Sequence, residues 1–261
     1  MNEAVERGHR EGILTAASLM VTGRAMADAV ARARAMPGLG VGLHLVLVEG
    51  RPALPAGSVP DLVDRDGRFR TDMARMGVDI FFRPAVRRQL AAEIEAQFAR
   101  FAETGLPLDH VNAHKHYHLH PTIASLILKI GARHGMKAAR APIEPRALLR
   151  RIEPGAASGF DIAAPWARLV RRRFVRHGLT VPDRVFGLAW SGAMEAGRLA
   201  GLIAGLPEGL SEIYLHPATS NSWPGRAPHY RYTDELAALL DGSTRNKIRE
   251  RGVKLGRFAD F

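Results

Sequence analysis

The sequence contains no cysteine at all. This absence excludes disulfides, thiolate metal sites and cysteine nucleophiles, so any bound metal would need histidine, carboxylate or backbone oxygen ligands. Long apolar runs are also missing, since no stretch approaches the roughly 20 residues that span a bilayer. The charged N-terminus, MNEAVERGHREG, lacks the apolar segment of a signal peptide. From these absences we expect a cytoplasmic protein.

Acidic residues are scarce relative to basic ones. The chain has 26 Asp and Glu against 37 Lys and Arg, for a formal net charge of +11. Such an excess can serve nucleic acid or an anionic membrane, or simply reflect an arginine-rich composition. No recognised nucleic-acid motif is present, so we expect no nucleic-acid partner. With 46% hydrophobic residues over 261 positions, the composition is that of a globular protein, and we expect one domain over residues 1–261.

Short apolar runs alternate with longer helical patterns along the chain. The predicted strands are Ile13–Val21, Val41–Val48, His110–His114, Ala138–Ala141, Val185–Ala189, Glu212–Leu215 and a last short candidate, Lys254–Phe258. The predicted helices are Arg24–Met36, Pro84–Glu103, Pro121–His134, Trp166–His177, Met194–Ala204 and Thr233–Leu240, the last capped by Thr233 or a near neighbour. This alternation indicates an α/β fold with parallel strands, either a barrel or an open doubly wound sheet. The Pro-, Gly- and Asp-rich stretch Glu49–Arg83 interrupts it, and we expect a functional loop there.

The segment HVNAHKHYHLHP concentrates five of the 11 histidines, at positions 110, 114, 116, 118 and 120. Residues two apart on a strand share a face, so His114 and His116 are predicted to point the same way before a helix begins at Pro121. In parallel α/β folds, sites are built at this end of the strands. Because neutral imidazole is a common metal ligand, the cluster predicts a metal site. A run of surface histidines in a loop is the alternative.

Three more polar side chains lie at predicted strand ends. His44 interrupts the apolar run GVGLHLVLV, His216 follows SEIYL, and Arg140 follows a short strand. Each alone has an ordinary explanation as a hydrogen-bonded core histidine or a salt-bridged arginine. Together with the histidine cluster they form the pattern of a barrel active site, whose residues come from several strand ends. A catalytic metal usually has three protein ligands, and no carboxylate at a strand end is an obvious third.

The segments GVGLHLVL, HVNAHKHYHLHP, ARAP and EIYLHPA, in this order and spacing, resemble the YdjC-like carbohydrate deacetylases over essentially the whole chain. The resemblance implies a distorted, TIM-barrel-like (β/α) barrel, a divalent metal (Mg or Zn) and amide hydrolysis of an N-acetylated sugar. It implies metal ligands at His44 and His114 and a general acid at His216, while Arg140 is expected to orient a carboxylate or the substrate. The residues expected to contact the substrate or to support the ligands are Asn112, His116 and His118.

The chain departs from the family pattern in two places. The family usually has Asp where this chain has Asn112, which changes a hydrogen-bond acceptor beside the metal ligands. Family members also begin with a strand ending in Ala-Asp-Asp-Phe-Gly, which supplies a third metal ligand and a base. This chain starts at Met1, about where the following helix begins. We therefore expect the first strand to be missing through a misassigned start or a truncation, which leaves the activity of the chain as given open.

More narrowly, the chain resembles the hopanoid-biosynthesis-associated branch, which implies an N-acetylglucosaminyl hopanoid lipid as substrate. A soluble chitooligosaccharide-type substrate and a non-catalytic sugar-binding role are alternatives, and two histidines with a carboxylate also serve non-haem iron oxygenases. The basic amphipathic stretch Trp166–Leu179 predicts peripheral contact with the inner membrane, against the alternative of an ordinary barrel helix that packs inward. A homodimer is left open.

Overall fold

The computed structural model describes residues 1–156 and 163–261. The helices in these ranges are α1 (Asn2–Arg10), α2 (Met26–Arg34), α3 (Met73–Phe82), α4 (Pro84–Glu103), α5 (Pro121–Arg133), α6 (Arg146–Ile152), α7 (Ala164–Arg176), α8 (Ala196–Gly205), α9 (Tyr232–Leu240) and α10 (Gly242–Glu250). The strands are β1 (Ala16–Leu19), β2 (Gly40–Leu45), β3 (Val111–Ala113), β4 (Arg184–Phe186) and β5 (Ser211–Ile213). The protein is therefore a mixed α/β structure, as the alternating sequence pattern predicts.

The strands form two parallel sheets. One sheet has the order β1-β2-β3, with Ala16 opposite Gly40 and Leu43 opposite Val111. The other pairs β4 with β5. Parallel neighbours need a crossover connection, and α2 and α4 supply it between the first three strands. Within the described residues neither sheet closes on itself.

Residues 138–143 lie between the two sheets. The predicted strand Ala138–Ala141 is represented there only by two isolated parallel bridges, Val111↔Ala139 and Ala138↔Thr180. Further along the same segment, the Val185 N–H donates to the Ile143 carbonyl at 2.8 Å. The segment thus links β3 to β4 through single contacts rather than through a continuous ladder.

The observed strands are shorter than the predicted ones, and β2 shows why. Its ladder ends at Leu45, yet the next three residues, 46–48, are 1–3% exposed. Hydrophobicity indicates burial and not strand pairing, so an apolar run in the sequence can extend beyond the end of the hydrogen-bonded strand. The predicted last strand, Lys254–Phe258, is wrong, because Phe258–Asp260 is a 3-10 turn and the described residues around it pair with no strand. The predicted cap at Thr233 is also wrong, since α9 begins after Arg231 without a side-chain cap.

The main apolar core lies between the three-stranded sheet and helices α2, α4, α5 and α7. Helix α4 shows how the sequence specifies this packing. It has Pro at its first turn, and its buried apolar residues recur three or four positions apart, at Val86, Leu90, Ile94, Phe98 and Phe101. Each such side chain contributes about 1.5–3 kcal/mol when it is fully buried. A smaller cluster surrounds β4 and includes Phe186, Trp190 and Leu202.

The stretch Glu49–Arg83 is a packed structure that contains helix α3. The buried carboxylate of Glu93 on α4 fixes its first part by accepting the Ala53 N–H at 2.7 Å and the Leu54 N–H at 3.0 Å. Its last part touches the histidine segment, since the Tyr117 hydroxyl donates to the Met73 carbonyl at 2.9 Å. This stretch therefore forms a wall beside the predicted site.

Helix α7 is amphipathic but presents apolar side chains on both sides. Ala167, Val170 and Phe174 are buried. Trp166, Leu169 and Val175 are 44%, 52% and 45% exposed. No helix in the described part of the chain is both long enough and apolar enough to cross a membrane.

Candidate active site at the strand ends

The structure brings the predicted site residues together at one edge of the sheets. His44 is the penultimate residue of β2, His114 directly follows β3, and His216 follows β5. Arg140 directly follows Ala138 and Ala139, the two residues that form isolated bridges between the sheets. Because parallel strands have their carboxyl ends on the same side, these four side chains converge. The nearby charges of the other three side chains accordingly contribute to lowering the pKa of His44.

His44 and His114 form an edge-to-face pair whose ring centroids are 5.7 Å apart. The Nδ1 of His44 bonds to Oδ1 of Asn112 at 2.5 Å, which leaves Nε2 free to accept. Burial lowers the pKa of His44 to about 3, and burial also lowers the pKa of His114. Both rings are therefore neutral at neutral pH and able to donate a lone pair.

The chain turns sharply after His114. Lys115 and His116 have φ of 52° and 54°, in the left-handed region that residues with a Cβ seldom adopt. The prediction that His114 and His116 share a strand face is therefore wrong, because β3 ends at Ala113. His116 faces Tyr214 instead, with its Nε2 at 3.4 Å from the phenol oxygen.

Glu49 is the carboxylate beside the histidine pair. One of its oxygens lies 4.0 Å from Nε2 of His114, and the other forms an ion pair with Lys115. Within residues 1–156 and 163–261, no group of three or more His, Asp or Glu side chains is arranged to hold a metal. The structure therefore places two imidazoles together with one nearby carboxylate, that of Glu49, which is paired with Lys115.

His216 is held from several sides. Its ring lies 5.5 Å from the Tyr214 ring and 5.0 Å from the Tyr230 ring. Its backbone N–H donates to the buried carboxylate of Glu235, which also accepts the Met194 N–H at 3.0 Å. Burial, followed by the nearby charge of Arg140, lowers the pKa of His216 to about 4. The imidazole is therefore neutral at pH 7, and its Nδ1 has no hydrogen-bond partner in the described parts of the chain.

Arg140 is a buried cation, 7% exposed, and it is paired with Glu212. Its Nε lies 3.0 Å from both carboxylate oxygens, and its guanidinium lies 4.6 Å from the centre of the Tyr214 ring. Burial alone would lower the pKa of Arg140, but Glu212 more than offsets this and the pKa is raised. Arg140 therefore influences the histidines through its charge while its donors are turned to Glu212.

The remaining predicted residues, Asn112 and His118, are both buried. Asn112 is 1% exposed and supports His44 through the hydrogen bond described above. His118 is also 1% exposed, and its burial lowers its pKa to about 3.

Several residues of the site were not among the sequence predictions. Glu212 and Tyr214 carried a usable signal, because they alternate with His216 in SEIYLHP and so fall on one strand face. Glu49 and Tyr230 lie outside the regular elements, where no periodicity marks them. Glu235 looks like an ordinary polar residue of a helix, and only the structure reveals that it is buried against His216.

The depressed pKa of His118 predicts acid sensitivity. In the unfolded chain its pKa is near 6.5, and in the fold it is about 3. The unfolded state therefore binds the proton first, so stability is fully present above pH 6.5 and is lost as pH falls towards 3. The slope is up to about 1.4 kcal/mol per pH unit. In His118→Leu, the free energy of unfolding is expected to fall less steeply than in the wild type between pH 6 and 5, by about 1.4 kcal/mol per pH unit. Urea unfolding of the metal-free proteins measures this difference. His229→Leu, at an exposed position, is the control, and equal slopes for wild type and His118→Leu would contradict the expectation.

The chain is similar to curated proteins along its whole length. It is 28% identical over 265 residues to a carbohydrate deacetylase from Geobacillus stearothermophilus, covering 100% of this chain and 92% of that one. It is 27% identical over 267 residues to a chitooligosaccharide deacetylase from Enterobacter sp. (strain 638), covering 100% and 93%. A carbohydrate deacetylase from Brevibacillus brevis is 41% identical over 130 residues, and this match spans about half of each chain, 50% of this one and 49% of the relative.

Two further comparisons concern the fold and the family. A crystal structure from Enterococcus faecalis, of a protein to which cellobiose-phosphate cleavage is provisionally ascribed, superimposes with a TM-score of 0.74 at 21% identity. It covers 99% of this chain and 92% of that chain, and at this identity it supports the fold alone. The family model described as YdjC-like protein matches residues 1–250. The chain therefore belongs to the YdjC-like protein family.

Proposed function

We propose that the protein is a metal-dependent hydrolase that removes the N-acetyl group of an amino sugar, giving acetate and a free amine. The observation that carries this proposal is the pair of neutral, adjacent rings of His44 and His114, with neutral His216 close enough to lower the pKa of His44. The enzyme class follows from the family, whose members named above are carbohydrate deacetylases.

The donors present fit a divalent metal at His44 and His114. Both rings are neutral, and Asn112 orients the first of them, as partners of metal-binding histidines commonly do. Imidazole ligands suit zinc better than magnesium, which prefers oxygen. When bound, the metal would polarise the acetyl carbonyl and lower the pKa of a bound water to about 7, as in the best zinc sites.

His216 is the proposed proton carrier. Because it is neutral at pH 7, it first accepts a proton from the attacking water and then gives that proton to the sugar nitrogen as the C–N bond breaks. The water oxygen ends in acetate, and the amine leaves with the proton. The charge of Arg140, which helps to keep the resting imidazole neutral, also makes the protonated ring a stronger acid for the leaving amine.

We also propose that the two parallel sheets are arcs of one distorted barrel. The support is the series of single contacts that leads from β3 through residues 138–143 to β4. Side chains that converge from the carboxyl ends of several strands are the usual arrangement of a barrel site. Small-angle scattering that gave a flat, open-sheet profile would count against this arrangement.

For the substrate, we propose an N-acetylglucosaminyl hopanoid lipid, with a soluble chitooligosaccharide as the competing candidate. The exposed ring of Trp166 lies next to the histidine segment, since its indole N–H donates to the Leu119 carbonyl at 2.5 Å. An apolar side chain there suits a sugar carried on a lipid. The test is acetate release, with added Zn²⁺, from chitobiose, from chitotriose and from an N-acetylglucosaminyl lipid in vesicles. Faster release from the lipid supports the finer proposal, release from the oligosaccharides alone overturns it, and no release from any of them overturns deacetylation.

The same reasoning predicts membrane contact through α7 at the inner-membrane surface. The exposed arginines Arg168, Arg172 and Arg176 form one stripe, whereas Arg171 is tied to Asp183. Each exposed arginine near an anionic surface contributes about 1 kcal/mol, so changing all three to Gln is expected to weaken vesicle binding about 100-fold.

Co-sedimentation with anionic vesicles measures this loss. A control that changes Arg65, Arg68 and Arg249 to Gln removes the same charge at other exposed positions. Equal loss in both variants, or equal binding of the wild type to neutral vesicles, would leave α7 with a structural role alone. The homodimer stays a prediction.

A further inference from the structure

His110 and Asp109 form a buried polar pair that the reaction above does not use, at 2% and 7% exposure. The sequence of β2 makes room for them. A Cβ at Gly42 would lie 2.5 Å from the His110 ring, and one at Gly40 would lie 2.7 Å from the Asp109 carboxyl group. Contacts below 3.0 Å essentially never occur for a real Cβ. Glycine at these two positions, on the same strand face as His44, therefore keeps a polar column where apolar side chains would ordinarily fill the space.

A continuous series of hydrogen bonds leads from this pair to His44. Nδ1 of His110 lies 2.8 Å from Oδ2 of Asp109, and Nε2 of His110 lies 2.9 Å from the Ser18 hydroxyl. The Ser18 oxygen accepts from Nδ2 of Asn112 at 2.8 Å. Oδ1 of Asn112 then meets Nδ1 of His44 at 2.5 Å. Four hydrogen bonds thus join three adjacent strands.

Donor and acceptor chemistry gives this series one direction. The carboxylate of Asp109 can only accept, so Nδ1 of His110 donates to it, and Nε2 of His110 is left to bond to the Ser18 hydroxyl. The Ser18 oxygen also accepts a hydrogen bond from the Nδ2 amide group of Asn112. The oxygen of that amide faces His44 and can only accept, so Nδ1 of His44 carries the proton and Nε2 carries the lone pair.

The far end of the series is closed by the C-terminal segment. The backbone N–H groups of Ala259 and Phe258 point to the Asp109 carboxylate at 3.1 Å and 3.4 Å. The Phe258 ring stacks on His110 with centroids 4.3 Å apart. Only Ser18, on edge strand β1, is exposed. The series is therefore held in place at Asp109 and ends at His44, the proposed metal ligand.

We propose that Asp109, His110, Ser18 and Asn112 are positioning residues that fix His44 in its Nδ1–H tautomer, so that its Nε2 lone pair faces the metal position. The inference rests on the proposed role of His44 as a metal ligand. The tautomer, however, is a property of the metal-free protein, so it can be measured whether or not the protein is a deacetylase.

The test combines ¹⁵N NMR of the histidine rings in the metal-free protein with Zn²⁺ titration by calorimetry. We expect wild-type His44 to show the Nδ1–H tautomer alone. Asn112→Leu is expected to mix the tautomers and weaken Zn²⁺ binding about 10–100-fold. Asn112→Asp keeps an acceptor at the same place and is expected to restore both. Ser18→Ala interrupts the series one bond further away and is expected to give a smaller change of the same kind.

Ser125→Ala, on α5, is the matched control, because it removes a hydroxyl that donates to a backbone carbonyl away from this series. A purely structural role would lower the melting temperature of Asn112→Leu while leaving the His44 tautomer unchanged, and that result overturns the inference. So does an Nε2–H tautomer in the wild type. A protein that shows the expected tautomers but no deacetylation would contradict the proposed function and not this inference.

Discussion

Replacing His114 by alanine is expected to lower kcat/KM for deacetylation by about 10³-fold or more. A catalytic metal supplies several kcal/mol of transition-state stabilisation, and each 1.36 kcal/mol corresponds to a factor of ten. With one of the two proposed ligands removed, only His44 would remain to hold the metal. Calorimetric titration should show Zn²⁺ affinity falling in parallel with activity, since both depend on the same ligand.

The control for His114→Ala is His177→Ala, which removes an exposed histidine at the end of α7. It should leave metal binding and activity within the error of the wild type. If His114→Ala loses activity but binds Zn²⁺ as tightly as before, His114 acts on the substrate and is not a metal ligand.

His216→Ala is expected to lower kcat by about 10²–10⁴-fold, the usual contribution of a positioned acid–base group. Metal affinity should change little, because the proposed metal ligands are His44 and His114. KM should also change little if the imidazole acts mainly in the transition state. Steady-state kinetics together with Zn²⁺ titration separate these quantities.

His216→Gln provides a second variant that keeps a hydrogen-bonding side chain between Tyr214 and Tyr230. It should be nearly as slow as His216→Ala, because an amide cannot carry the proton. Recovery of wild-type kcat in His216→Gln would mean that the residue only orients the substrate. A large fall in metal affinity in both variants would instead make His216 a ligand.

The place of the site could be predicted from the sequence because each polar side chain interrupts or follows an apolar run. His44 and His216 stand out in this way, and parallel strands bring their ends to one edge. The direction in which each side chain points could not be predicted. Lys115 and His116 adopt left-handed backbone angles, which are uncommon for any residue with a Cβ and are not marked in the sequence. Arg140 pairs with a carboxylate 72 residues away, a contact that only the tertiary structure creates.

Helix bounds followed the sequence more closely than strand bounds. The predicted and observed limits of α4 coincide at Pro84–Glu103, because proline opens the helix and Gly105 follows its end. Helices α3 and α10 were missed although each has a capping aspartate, since Asp72 accepts the Arg75 N–H and Asp241 accepts the Thr244 N–H. Around α3 the Pro, Gly and Asp content suggested a loop, and α10 buries only two residues, which leaves little apolar periodicity to detect.

The most direct test of the central claim is to measure acetate and free amine together, from an N-acetylglucosamine substrate, with wild-type protein and with His44→Ala. Each protein is first stripped with EDTA and then supplied with one equivalent of Zn²⁺. We expect equal amounts of acetate and amine from the wild type only after Zn²⁺ is added, and almost none from His44→Ala. Acetate release that continues in the stripped wild type, or that is unchanged in His44→Ala, would contradict a metal-dependent deacetylase built on His44 and His114.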